Sequence, residues 1–96
     1  MTCWSVSTAG EALIDMVGQA DGTYLPCLGG AVYNLTRALA RQGVPTLYQN
    51  PFSSDAMGRR LVQGALASGV HLARPEPVPD VTSLAMVGVD AHGQPD

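Results

Sequence analysis

The residues of this 96-residue chain best suited to binding chemistry are a glycine pair, an amide and a carboxylate. Gly29 and Gly30 open a helix-like run, and because they carry no side chain they let a ligand or another backbone approach closely. The start of a helix also offers unpaired N–H groups. Asn34 lies one turn further along, where its amide can donate and accept, whereas an ionised Asp15 can only accept. Together these four residues could hold a ligand rich in hydroxyl groups.

Each of these residues also has a purely structural interpretation, and the residue pattern alone leaves it open. The glycine pair can simply end a strand and begin a helix. Asn34 can hydrogen-bond locally at the helix start, and Asp15 can be an exposed strand residue or a carboxylate that caps backbone groups. Glu11 lies on the same face of an extended chain as Asp15 and competes with it. We rank Glu11 lower, as a structural residue or as a partner that supports Asp15.

Sequence patterns for several other kinds of site are missing. There is no Gly-x-Gly-x-x-Gly and no Gly-Lys-Ser/Thr, the fingerprints of dinucleotide-binding and P-loop proteins. His71 and His92 are isolated from other ligand types, so we expect no metal site. Ser53 and Ser54 lack the strand-to-helix turn that presents a serine nucleophile.

Composition bounds the class of the chain and its partners. Apolar residues make up 46% and charged residues 14%, which argues against intrinsic disorder, and the length allows one domain at most. The net charge is −3 and the only cations are five arginines, which argues against nucleic acid as a partner. No apolar run is long enough for a membrane span and no secretory signal is recognisable. Cys3 and Cys27 are isolated thiols, as expected of a cytoplasmic protein, although one disulfide between them stays open.

Hydrophobic patterning predicts an α/β fold with a partly parallel sheet. Pro26 makes its strand fit the edge of a sheet, and Asp55 or Ser54 caps the second helix, into which Gly58 packs closely. The last strand carries apolar or small residues on both faces, as in a buried sheet. Strands are predicted over residues 3–9, 12–17, 23–28, 46–50 and 83–89, the last followed by a turn at 90–93, and helices over 31–42 and 55–68.

Each predicted helix has an apolar face. In the first, Val32, Leu35 and Leu39 recur at helical spacing, whereas Arg37 and Arg41 lie on a face that water should reach. The apolar side of the second helix consists of Met57, Leu61, Ala65 and Leu66.

Four segments in a fixed order resemble the ribokinase-like carbohydrate kinases, the PfkB family, and its fructokinase-like branch above all. No single segment is specific, since a glycine pair before a helix is common, but their order and gaps make a joint signal that covers nearly the whole chain. The segments are GEALIDMV at 10–17, LGGAVYNLTRALARQGV at 28–44, SSDAMGRRLVQGALASGV at 53–70 and TSLAMVGVDAHGQ at 82–94.

This resemblance implies a fold and a site. The fold is the N-terminal part of a ribokinase-like domain, a central, mostly parallel sheet with flanking helices plus small β lid strands, and residues 1–96 are an incomplete portion of that domain. Residues 12–17 and 23–28 resemble the lid strands, which in this family often also mediate homodimer contacts. The sugar substrate is held by Asp15, Gly29, Gly30 and Asn34.

The resemblance also implies an activity that this chain does not complete. Such kinases use ATP and Mg²⁺ to phosphorylate a primary hydroxyl of a sugar, with a catalytic aspartate in a late Gly-Ala-Gly-Asp-like motif. That motif is absent here, so we expect no catalytic residue in this chain and no kinase activity from it alone. The family usually has glycine near the positions of Asn50 and Ser53, so the loop there should bend differently. The alternatives are a small α/β nucleotide- or phosphate-binding module without catalysis, and an interaction fragment that is stable only with a partner.

Overall fold

The computed structural model describes residues 4–88, which form six strands and two helices. The predicted α/β class is confirmed, and the strands and helices largely follow the predicted order. Their bounds are β1 Val6–Thr8, β2 Leu13–Gly18, β3 Tyr24–Gly29, α1 Ala31–Arg41, β4 Thr46–Tyr48, α2 Ala56–Ala67, β5 His71–Leu72 and β6 Leu84–Val87.

The strands divide into two sheets of three. The main sheet has the order β1-β4-β5 and is parallel throughout. The second sheet, which we call the lid sheet, has the order β3-β2-β6, with β2 antiparallel to β3 and parallel to β6. The predicted separation of the second and third strands from the main sheet is thus observed. The edge position predicted from Pro26 is confirmed, because within residues 4–88 β3 pairs with β2 and with no other strand.

A buried aromatic cluster joins the two sheets and the helices. Tyr33 of α1, Tyr48 of β4 and Phe52 pack with ring centroids 5.3–6.2 Å apart, mostly edge to face, a favoured geometry for aromatic rings. Ile14 of the lid sheet and Leu61 of α2 are buried in the same core. The lid sheet is therefore anchored to the helices through its central strand.

The predicted apolar face of α1 is right for Val32, which packs against the core, and wrong for Leu35. The buried residues of α1 are Tyr33 and Thr36, while Leu35 is 55% exposed. The Tyr33 hydroxyl donates to the Leu61 carbonyl, and the Thr36 hydroxyl bonds the Val32 carbonyl at 2.7 Å. Polar side chains can be buried when their hydrogen bonds are made inside the protein, and counting apolar residues does not detect them.

Two further side chains depart from the predicted faces. Arg37 was expected in water but is half-buried, because its guanidinium lies 5.4 Å from the Tyr33 ring centroid and donates to the Ser68 hydroxyl at 3.2 Å. Leu66 was expected on the apolar side of α2 but is 56% exposed. The remaining predicted members of that side, Met57, Leu61 and Ala65, do contact the core.

The last described strand is not buried on both faces as predicted. β6 pairs with β2 in the lid sheet, and Leu84 and Met86 are 55% and 62% exposed. β5 was missed, because two residues are too few to show an alternating pattern. The predicted turn at 90–93 lies outside the described residues, as does Cys3, whereas Cys27 is a free thiol.

Asp55 starts α2 and also holds the segment before β6. Its Oδ1 accepts from the Gly58 amide at 2.7 Å and the Thr82 hydroxyl at 2.6 Å, while Oδ2 accepts from the Thr82 amide at 2.8 Å. The predicted close packing of Gly58 is confirmed, since a Cβ there would lie 2.1 Å from the Ser53 carbonyl oxygen. The hydrogen bonds from the Thr82 side chain, then those from the two amides, lower the pKa of Asp55 below its usual value.

We expect Asp55→Asn to flatten the acid limb of the stability curve. A carboxyl whose pKa is lowered by folding stabilises the protein above its unfolded pKa, about 3.9, and loses that contribution as pH falls through the folded pKa. Urea unfolding between about pH 5 and pH 2 should therefore be less pH-dependent in Asp55→Asn than in the wild type. Thr82→Val, which removes only the hydroxyl donor, should be intermediate. An acid limb as steep in Asp55→Asn as in the wild type would contradict this assignment.

Candidate functional site

The junction between β3 and α1 requires glycine at Gly30. Its φ of 100° and ψ of 124° lie in a region that side chains rarely adopt. A Cβ at Gly30 would also lie 2.5 Å from the Glu11 carbonyl oxygen, so the connection before β2 runs directly over the helix start. The Gly30 carbonyl accepts from the backbone N–H of Asn34 at 2.9 Å, and this bond begins the helical hydrogen bonding.

Gly29 makes room for the Asp15 carboxylate. In the β2–β3 register Asp15 stands opposite Cys27, and its side chain leans along the strand toward Gly29. A Cβ at Gly29 would lie 2.4 Å from Asp15 Oδ2 and 3.1 Å from Leu13 Cδ1. The structure therefore brings the Asp15 carboxylate against Gly29, fourteen residues later in the chain. The sequence pattern had already grouped these two residues.

The start of α1 adds hydrogen-bond donors to this carboxylate. Among the described residues no side chain caps the helix, so the N–H groups of its first turn are free of side-chain partners. Asn34 lies on that first turn and is exposed. The glycine pair thus has a carboxylate acceptor beside it and backbone donors next to it, with Asn34 on the same helical turn, a combination that suits a ligand with several hydroxyl groups.

Glu11 has a structural position, in line with its lower rank. Its carbonyl packs against Gly30, and its carboxylate accepts a hydrogen bond from the Ser83 hydroxyl. It therefore ties the connection before β2 to the start of β6.

A cavity of about 190 Å³ borders the same connection, and none of the four candidate residues lines it. Several of its polar side chains are engaged, Glu11 with Ser83, Asn50 with Gly10, and Thr82 with Asp55, whereas Ser53 and Asp80 also line it. The four residues predicted from the sequence lie apart from this cavity, and we keep the candidate site at the glycine pair.

The described residues contain no ligand cluster suited to Mg²⁺. Within residues 4–88 no group of three or more His, Cys, Asp and Glu side chains could hold a metal ion, and the sequence has no lysine. His71 packs against the Trp4 ring with centroids 4.5 Å apart.

Neither α1 nor α2 is long and apolar enough to cross a membrane.

The sequence is similar to curated fructokinases, although no family model matches it. It is 34% identical to a fructokinase of Rhizobium leguminosarum bv. trifolii over 82 residues, which are 81% of this chain and 25% of that protein. It is 32% identical to a fructokinase of Escherichia coli over 63 residues, 66% of this chain and 20% of that protein. The chain thus spans about a quarter of the length of these relatives.

Solved structures give the same result at the level of the fold. A fructokinase from Xylella fastidiosa with bound ATP matches 95% of this chain and 31% of its own length, at a TM-score of 0.82 and 31% identity. A fructokinase from Vibrio cholerae in its fructose-, ADP- and calcium-bound form matches 91% of this chain and 28% of its own length, at a TM-score of 0.72 and 30% identity. A PfkB protein from Polaromonas sp. JS666 matches 98% of this chain and 34% of its own length, at a TM-score of 0.85 and 25% identity.

These matches define the class of protein: a ribokinase-like α/β chain of the PfkB carbohydrate kinase type, corresponding to the N-terminal part of that fold. Both predictions, the fold class and the resemblance, are confirmed. Within that class, fructokinases are the relatives found by sequence and by structure alike.

Sequence reasoning missed two residues that support this site. The Tyr48 hydroxyl donates to the Gly10 carbonyl, and Asn50 Oδ1 accepts from the Gly10 amide at 2.9 Å. Tyr48 looks like an ordinary core residue of a strand, so nothing in the pattern singles it out. The departure from glycine near Asn50 was a signal, but it indicated a different loop and not a hydrogen bond across the two sheets.

We expect Gly30→Ala to destabilise the chain by about 1–3 kcal/mol, because it adds both backbone strain and a clash with the Glu11 carbonyl. Gly43→Ala is the matched control, since Gly43 also has a positive φ of 85° but a Cβ there meets no atom within 4 Å. Urea unfolding should show a larger loss for Gly30→Ala than for Gly43→Ala. Equal losses would mean that the close approach of the Glu11 carbonyl carries no cost.

Proposed function

We propose that this chain is the sugar-binding portion of an ATP-dependent carbohydrate kinase of the fructokinase type, with residues 1–96 forming an N-terminal part of the kinase domain. The observation that carries the proposal is the Asp15 carboxylate leaning onto Gly29 at the uncapped start of α1. The similarity to fructokinases supports it.

The chemistry of the four residues suits a sugar. An ionised Asp15 accepts hydrogen bonds from two hydroxyl groups, the first-turn amides of α1 donate to sugar oxygens, and Asn34 does both. Gly29 and Gly30 let the sugar ring approach the backbone. Fructose, which the Vibrio cholerae fructokinase binds, is the sugar that we propose.

In the complete enzyme the γ-phosphoryl group of ATP would pass to a primary hydroxyl of this sugar, with Mg²⁺ supplying charge neutralisation. Bound ATP in the Xylella fastidiosa enzyme, and ADP with calcium in the Vibrio cholerae enzyme, support the use of a nucleotide and a divalent ion. Since residues 4–88 hold no ligand cluster for a divalent ion, and the chain lacks the late motif of the resembling family, we assign the ion, the nucleotide and the catalytic aspartate to parts of a longer protein. The 96-residue chain alone is expected to be inactive and to hold the sugar only.

The lid sheet would close over the bound sugar and contact a second copy in a homodimer. Its exposed apolar side chains support this part of the proposal, because Leu25, Leu84 and Met86 are each more than half exposed. Nucleic acid and membrane partners are not part of the proposal, and a cytoplasmic location stays a prediction.

A phosphate- or nucleotide-binding module is the second candidate, and the uncapped start of α1 favours it, because helix N-termini attract anions. The Asp15 carboxylate beside Gly29 argues against it, since it would repel a phosphate at the same place. Binding of ATP by the chain in the absence of any sugar would favour this candidate.

A chimeric enzyme tests the proposed function. This chain replaces the matched segment of the Escherichia coli fructokinase, and fructose-dependent ADP formation is measured. Asp15→Asn should lower kcat/KM for fructose by about 10- to 100-fold, because hydrogen bonds to a charged group contribute about 1.5–3 kcal/mol. Asp21→Asn is the matched control, because Asp21 bonds only Thr23 in an exposed turn between β2 and β3.

The chimera should show fructose-dependent turnover, and Asp21→Asn should match it. Wild-type kcat/KM in Asp15→Asn would reject the sugar-binding role of this carboxylate.

A further inference from the structure

The connection between β1 and β2 carries the chain from the main sheet to the lid sheet, and Gly10 stands in it. Two side chains from the end of β4 hold this residue. Its amide donates to Asn50 Oδ1 at 2.9 Å, and its carbonyl accepts from the Tyr48 hydroxyl. Both backbone groups of Gly10 are thus bonded by side chains that lie far away in sequence, so the crossing is fixed by tertiary contacts.

The same connection lies against the start of α1. A Cβ at Gly10 would lie 2.6 Å from Val32 Cγ2, and the carbonyl of the next residue, Glu11, approaches Gly30 equally closely. The β2–β3 pairing holds Asp15 beside Gly29. Because the connection touches the first turn of α1 and leads directly into β2, its position helps to set where β2 and the Asp15 carboxylate lie over the start of α1.

Tyr48 is held rigidly enough for this purpose. Its ring is 1% exposed and packs between Tyr33 and Phe52. Burial above all, and the neighbouring Tyr33 and Glu11 in smaller measure, raises its pKa to about 12. The hydroxyl therefore keeps its proton at neutral pH and remains a donor to the Gly10 carbonyl.

Asn50 supplies the acceptor for the Gly10 amide through its side-chain Oδ1. Asn50 is half-buried and lines the cavity that borders the connection.

We propose that Asn50 and Tyr48 are positioning residues that clamp Gly10 and thereby hold the Asp15 carboxylate at the sugar. The proposal rests on the proposed function, since it concerns the affinity of the same site. It assigns to Asn50 a role in sugar affinity without contact to the sugar.

The first test uses the 96-residue chain itself and needs no sugar. In Asn50→Ala, hydrogen exchange of the Gly10 amide, followed by NMR, should accelerate by about three- to tenfold, as expected for one lost hydrogen bond. The carboxyl ¹³C resonance of Asp15 should shift as well. Asn50→Asp keeps an acceptor oxygen in the same place and should restore both signals.

Gln49→Ala is the matched control. Gln49 precedes Asn50 and is also an amide, but its side chain bonds the Ser7 hydroxyl at 2.7 Å and not Gly10. Both signals should be those of the wild type. Tyr48→Phe is a second variant, which keeps the ring in the aromatic cluster and should also move the Asp15 resonance. Unchanged Gly10 exchange in Asn50→Ala, or an Asp15 resonance that moves in neither variant, would overturn the clamp.

The second test places the same variants in the chimeric kinase. Asn50→Ala should raise KM for fructose by about three- to tenfold with kcat nearly unchanged, because sugar binding and not the chemical step is affected. Asn50→Asp should return KM toward the wild type. If Asp15→Asn impairs the chimera while Asn50→Ala leaves KM unchanged, the positioning role is wrong and the proposed function stands. If Asp15→Asn has no effect either, the proposed function itself fails.

Discussion

The structure depends on two residues without side chains, Gly29 and Gly30. They lie where β2, the connection before it and the start of α1 meet. The connection before β2 crosses the start of α1 at Gly30, and the Asp15 carboxylate lies on Gly29. A methyl group at either position would separate the lid sheet from the helix that it contacts. The arrangement of carboxylate, amides and Asn34 exists only because the backbones meet at that distance, so packing and ligand chemistry share one requirement.

Much of this architecture could be predicted from local signals. The glycine pair, the cap at Asp55 with the close-packed Gly58, and the edge strand containing Pro26 each express a backbone rule that acts within a few residues. The buried face of α1 could be predicted only in part. Tyr33, Thr36 and Arg37 are buried or half-buried because their polar groups find partners on other elements, and a count of apolar residues at helical spacing gives such partners no weight.

The candidate site shows the same division. The pattern grouped Asp15 with the glycine pair and Asn34, but it did not show why Gly29 must be glycine, since that reason is a neighbouring side chain in another strand. It also did not show that β6 joins the lid sheet, because strand partners separated by most of the chain leave no periodic trace. Tyr48 and Asn50 escaped notice for a similar reason: each acts on a glycine about forty positions earlier.

The pairing of β6 with β2 also constrains how the chain can be made. During synthesis β2 and β3 emerge together and can pair as a hairpin, whereas Leu84, the partner of Ile14, follows only after α1, β4 and α2 have been made. Until then one edge of β2 presents unpaired backbone groups, the feature through which strands of different molecules associate. Asp15 lies in the middle of that edge strand, and a charge there opposes such pairing. The carboxylate that suits a sugar in the finished fold is thus also a charge that disfavours association through β2 before β6 pairs with it.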